Sequence, residues 1–230
     1  MRILAIDTST SIGSIAITED NTVKAEYIMR KKQTHVESLM PMIDTLLKNL
    51  QISISDINAV LTTLGPGSFT GLRIALGTAK GICYTRKIPL KGFSTLLAMA
   101  YNVYGAEKNI CPILEAGRDM IYIAMYSPEL EEIHPPQLLS INNLTKFIDD
   151  DILFVGSIPK CWEKNNRGEM HIKYKFPPIH LNFPRAASLF EILRSQGEHL
   201  KYDYEYIASL EPLYIRRSAA EEKLLTNKNN

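Results

Sequence analysis

The stretch Leu64-Gly65-Pro66-Gly67-Ser68-Phe69-Thr70-Gly71-Leu72-Arg73 restricts the folds open to this chain more than any other. Ahead of it, Asn58-Ala59-Val60-Leu61-Thr62-Thr63 is apolar and β-branched, bounded by turn residues, which is the pattern of a buried strand. Behind it, Leu72, Ala75, Leu76, Ala79 and Cys83 recur at helical spacing and make one apolar face. Gly65 and Gly67 permit backbone angles that a side chain obstructs, Pro66 stiffens the bend, and Ser68 is suited to cap the helix. The unit is strand, tight turn and helix, with helix N–H groups directed at the turn, an arrangement that suits an anion. Its spacing matches neither familiar phosphate loop. No Lys follows as in Gly-x-x-x-x-Gly-Lys-Ser/Thr, and the glycines stand at Gly-x-Gly-x-x-x-Gly, not Gly-x-Gly-x-x-Gly. On spacing alone they make a sharp corner, and Asp7, Gly65, Gly67 and Ser68 form only a weak nucleotide-binding set.

The surrounding pattern is α/β. Residues 2–7 read as a central strand, covered on both faces. Segments 14–18 and 22–27 alternate at period two around Glu19-Asp20-Asn21 and predict a hairpin. A helix is expected over 34–50, with Leu39, Ile43, Leu46, Leu47 and Leu50 on one face and a bend or a later start at Pro41. A short strand over 88–93 leads to a helix capped by Ser94. In the second half, 110–115 and 120–126 read as paired strands. Residues 140–150 are expected to be helical, 152–155 a strand, and Pro184 to open a helix. Tyr202, Tyr204 and Tyr206 alternate like an edge strand, and 221–230 reads as a frayed tail. No sequence repeat is visible.

A chain of 230 residues holds one large domain or two small ones. Lys+Arg 26 against Asp+Glu 25 leaves a net charge of +1, so nucleic-acid contact by this chain alone is expected to be weak. Cys83, Cys111 and Cys161 are widely spaced and read as buried thiols. No signal-peptide pattern and no apolar run of about 20 residues is present, so a cytoplasmic protein with no membrane contact is expected.

The motif Gly-Pro-Gly-Ser-Phe-Thr-Gly-Leu-Arg closely resembles that of the TsaB (YeaZ) family. The resemblance extends to Ile3-Leu4-Ala5-Ile6-Asp7-Thr8-Ser9-Thr10, to His35-Val36-Glu37-Ser38-Leu39-Met40-Pro41 and to Pro212-Leu213-Tyr214-Ile215-Arg216. It implies an actin-like, ribonuclease-H-like fold. The first domain is complete (1–103), the second is reduced (104–205), and a C-terminal segment (206–230) returns to the first. It also implies an accessory role in forming N6-threonylcarbamoyladenosine at position 37 of tRNAs that read codons beginning with A. The expected partners are the catalytic relative TsaD in a direct heterodimer, TsaE and, through the complex, tRNA, with a homodimer as an alternative use of the same surface.

The candidate interface is the outer face of the first two helices: Thr34, His35, Ser38, Met42, Phe69, Arg73, Gly77, Lys80, Gly81 and Tyr84. Gly77 and Gly81 each cost about 1 kcal/mol in a helix interior, a cost that a closely packed partner helix would offset. No catalytic residue and no metal ligand is assigned. Side chains of Thr8, Ser9 and Thr10 crowd the place next to Asp7 where an actin-type ATPase has glycine. Leu39 stands one turn after His35, where TsaD has a second metal-binding histidine. No tightly bound cofactor is expected, and a nucleotide at the joint with the partner stays open. The rival functions are an actin-fold ATPase or kinase using Asp7 and the Gly65–Gly71 turn and, last, a peptidase acting on TsaD. Glu115-Ala116-Gly117-Arg118 departs from the Asp-Ala-Arg plus basic residue usual in the family, so charge pairing there does not carry over.

Overall fold

The computed structural model describes residues 1–30, 37–117, 119–148, 151–157, 174–197 and 199–215. Strand β1 (Arg2–Asp7) pairs antiparallel with β2 (Ile12–Glu19), which pairs with β3 (Thr22–Arg30). The hairpin between β2 and β3 closes on Asp20 and Asn21, both with positive φ, as a two-residue turn between right-twisted strands requires. β4 (Ala59–Gly65) lies parallel to β1, and β5 (Leu90–Ser94) parallel to β4. The order β3-β2-β1-β4-β5 is that of a ribonuclease-H-like sheet. β1 and β2 are buried almost throughout, because helices cover both faces.

Helices α1 (Leu39–Asn49) and α2 (Phe69–Arg86) cover one face, packing on Leu4, Ile6, Ile15, Ile17 and Val60. The opposite face, with Ile3, Ala5, Leu61 and Phe93, receives α3 (Thr95–Tyr101) and a later helix described below. Ser68 and Ser94 cap α2 and α3 as expected, accepting from the N–H groups of Gly71 and Leu97. Helix α3 is apolar all round and serves two sheets. Ala98 faces the first, whereas Leu96, Met99 and Ala100 pack on Ile110, Ala124, Tyr126 and Val155 of the second.

The second sheet comprises β6 (Asn109–Gly117), β7 (Met120–Tyr126), β8 (Glu132–Ser140), β9 (Ile152–Gly156) and β10 (Tyr174–Lys175). Its order, β10-β9-β6-β7-β8, repeats that of the first sheet, with the same pattern of parallel and antiparallel neighbours. The actin-like duplication is therefore present in the strands. The reduction shows in β10, two residues long, and in α4 (Leu144–Phe147), four residues long.

Several expectations need correcting. Ser140 still belongs to β8, and only a 3₁₀ turn at Ile141–Asn143 and α4 follow where a helix over 140–150 was expected. The described helix α1 begins at Leu39. Pro41 falls in its first turn, where no intrahelical partner is lost, so the later start expected there is met and not corrected. Pro184 precedes the helix α5 (Ala186–Gln196) without opening it. That helix packs on the first sheet through Ala186, Leu189, Phe190, Ile192 and Leu193, so the return to the first domain begins before position 206. The tyrosine run is not a strand. Asp203 accepts a bond from the Tyr206 N–H and caps α6 (Tyr204–Ser209), which buries Ile207 against α2. The expected tail, 221–230, lies outside the described residues.

The start of α5 is clipped to the β2–β3 hairpin. Ser14 Oγ accepts from the Ala186 N–H at 3.0 Å, and Glu26 Oε1 accepts from the Ala187 N–H at 3.1 Å. Arg185 Nε reaches Glu26 Oε2 at 3.1 Å, with a second guanidinium nitrogen on the same oxygen. Glu26 thus does the work of an N-cap from another strand. Replacing it, Glu26→Ala, removes the cap and leaves Arg185 unpaired. The expected loss is about 2 kcal/mol of unfolding free energy in urea titrations.

Candidate functional site

The glycine turn is held from below by the loop that follows β1. The Ser68 N–H donates to the Ser9 carbonyl at 2.7 Å, and Thr8 Oγ1 donates to the Gly71 carbonyl at 2.7 Å. A Cβ on Gly67 would stand 2.4 Å from the Ser9 carbonyl oxygen, and one on Gly71 only 1.9 Å from that of Thr8. Glycine is required here because backbone lies against backbone. Gly65, at φ +126°, is approached from the other side by the Leu213 carbonyl, and the Leu213 N–H donates to Leu64 O at 2.6 Å.

Asp7 is fully buried at the end of β1. Its carboxylate accepts from Ser9 Oγ at 2.8 Å, Thr63 Oγ1 at 2.5 Å and the Ser9 N–H at 3.4 Å. Asp7 and the Ser68 N–H are thus both engaged by this chain's own loop. Of the Asp7, Gly65, Gly67 and Ser68 set, Asp7 and Gly65 are buried, whereas Gly67 and Ser68 border open space. A cleft of about 740 Å³ does lie between the sheets, with hydroxyl-bearing Ser9, Thr10, Ser11, Ser68 and Ser157 on its walls and Arg30 and Glu115 facing it.

The candidate interface residues divide. Thr34 and His35 lie outside the described residues. Ser38 and Met42 are buried and present no outer face, since Met42 sits at i+3 from Leu39 and i−4 from Leu46, inside the apolar stripe. Arg73, Gly77 and Gly81 are exposed on one side of α2, and nothing lies within 4 Å of where a Cβ on either glycine would be. Phe69, Arg73, Lys80 and Tyr84 are engaged by the C-terminal segment instead. The Phe69 and Tyr214 rings stack at 4.6 Å, with the Arg73 guanidinium 3.9 Å over Phe69 and its Nε on Tyr214 Oη at 2.8 Å. Lys80 Nζ donates to the Ala208 carbonyl at 2.9 Å, and Tyr84 packs on Tyr204 at 5.3 Å. Residue spacing gave no sign of this strap, although Tyr214 lies in a stretch that carries the resemblance.

Cys83 and Cys111 are buried, as the sequence suggests, whereas Cys161 lies outside the described residues. Burial pushes the Cys83 thiol up from its ordinary 9.0 to about 12, and it raises Cys111 as well. Both are protonated, unreactive thiols. Among the described residues no group of three or more His, Cys, Asp and Glu converges as a metal site, and no helix is long and apolar enough to cross a membrane.

A family model described as TsaD, tRNA N6-adenosine threonylcarbamoyltransferase, matches residues 23–224. A Buchnera aphidicola (Schizaphis graminum) protein named tRNA threonylcarbamoyladenosine biosynthesis protein TsaB is 35% identical over 85% of this chain and 94% of its own. The Escherichia coli K12 protein of the same name is 28% identical over 97% and 98% of the two chains. This chain belongs to the TsaB (YeaZ) family. The solved YeaZ of Pseudomonas aeruginosa shares the fold, with a TM-score of 0.74 at 24% identity over 93% of this chain and 99% of that one. Within this TsaB-family chain, Gly67 and Gly71 of the signature motif lie against the backbone of Ser9 and Thr8.

Two stability predictions follow from the glycines. Gly67→Ala forces the Ser9 carbonyl aside and should cost about 3 kcal/mol. Gly77→Ala meets open space in a helix interior and should stabilise the isolated chain by about 0.5–1 kcal/mol, both read from chemical denaturation. For the cysteines, the folded chain holds its thiol protons more tightly than the unfolded chain does. Stability should therefore fall as pH rises from about 9 toward 12, and iodoacetamide at neutral pH should label Cys83 and Cys111 only after denaturation.

Proposed function

We propose that this chain is a non-catalytic subunit in the formation of N6-threonylcarbamoyladenosine at position 37 of tRNAs reading codons that begin with A. It pairs directly with TsaD, which supplies the catalytic chemistry, with TsaE joining the complex. tRNA is met through the assembly and not by this chain alone, in keeping with its net charge of +1. The chain works in the cytoplasm and holds no tight nucleotide of its own. Where TsaD is absent, the same surface pairs two copies.

The observation that carries this reading is the contrast between two sets of glycines. Gly67 and Gly71 are closed off by the Thr8 and Ser9 backbone, whereas Gly77 and Gly81 face open space on the outside of α2. The first set is accounted for by packing within the chain. The second offers a low surface on which another helix can approach closely, and family membership supplies the biosynthetic context.

The test is incorporation of labelled threonine into tRNA in a mixture of TsaD, TsaE, the threonylcarbamoyl-AMP synthase, ATP and bicarbonate. Incorporation should require both this chain and TsaD, and full incorporation without this chain would overturn the proposal. Gly81→Arg should leave the isolated chain folded while abolishing both TsaD binding and incorporation.

A further inference from the structure

The C-terminal strap and α2 enclose a groove of about 400 Å³ that the α2 helix alone would not have. Arg73, Gly77 and Lys80 form its helical wall, and Leu210, Glu211 and Tyr214 its other wall. Both cations are held by neutral acceptors: Arg73 by the Tyr214 hydroxyl and ring stack, Lys80 by the Ala208 carbonyl. Among the described residues no carboxylate forms an ion pair with either, so within that set each is positioned without a charged partner. They stand seven residues apart, two helical turns or about 10 Å along the axis. Gly77 lies between them with nothing within 4 Å of where a Cβ would stand, so another backbone can come close at the midpoint. Glu211 on the strap opposes an anion, which leaves the helical wall as the attractive side.

We infer that this groove recognises acidic side chains on a helix of the catalytic partner, two carboxylates one heptad apart reaching Arg73 and Lys80, and that residues 204–214 belong to the docking surface. The inference rests on the proposed pairing with TsaD and adds to it a charge code and a second structural element. Fixing the Arg73 side chain in a stack and the Lys80 side chain on a carbonyl lowers the ordering cost of binding. The attraction of exposed charges makes association sensitive to salt.

The experiment measures affinity for TsaD by titration calorimetry, using the full chain. The double variant Arg73→Gln/Lys80→Gln should bind about tenfold more weakly or worse. The wild-type affinity should fall between about 50 and 300 mM salt, with a much flatter dependence in the variant. Tyr214→Ala, which frees both the strap end and Arg73, should also weaken binding. Wild-type affinity that does not change with salt overturns the inference, even if the variants fail to fold. So does a folded double variant that binds like wild type. In that last case loss of binding by Gly81→Arg would leave the TsaD pairing itself standing, whereas no binding by the wild-type chain would overturn both.

Discussion

The carbonyl of Ser9 lies against the Ser68 N–H and above Gly67, and the carbonyl of Thr8 lies against Gly71. The first domain is assembled around this contact. It joins the loop leaving β1 to the start of α2, and so fixes the helix against the central strands of its own sheet. It also holds the Ser9 hydroxyl and N–H within reach of Asp7, which takes both together with the Thr63 hydroxyl. A buried carboxylate needs donors of this kind, since desolvation is otherwise costly. Gly67 and Gly71 are thus required for a reason internal to the protein.

The outer side of α2 is the other place where glycine stands out. A helix that served only as a lid for the sheet would gain from alanine at positions 77 and 81, because nothing lies within 4 Å of where either Cβ would stand. The chain instead keeps glycine there and adds a strap beside it. The strap is tied at one end by Leu213 to Leu64 and along its length by Tyr214, Ala208 and Tyr204 to α2. Because Leu213 also crowds Gly65, the strap and the turn are in direct contact.

Much of this was legible in the sequence. The runs that became β1 and β4, the apolar stripe of α2 and the capping serines at 68 and 94 are local signals, and local signals held. The signature also led to the right family and fold. What misled was local ambiguity or long range. Three alternating tyrosines look like a strand until Asp203 is recognised as a cap. Met42 was assigned to an outer face although its spacing from Leu39 and Leu46 places it in the core. Glycine announces a close approach without saying of what, and the approaching Thr8 and Ser9 lie some sixty residues upstream. The repeat of strand order in the second sheet was hidden by the brevity of β10 and by α3, whose residues serve both sheets.

Amide hydrogen exchange of this chain, alone and with TsaD, tests the central claim most directly. A partner docking on the outward-facing side of α2 predicts slowed exchange over the middle of α2 and over 204–214 when TsaD is added, with the loop at 9–12 unchanged. Slowing confined to the walls of the cleft, at 9–12 and 114–116, with α2 exchanging as in the free chain, would contradict it.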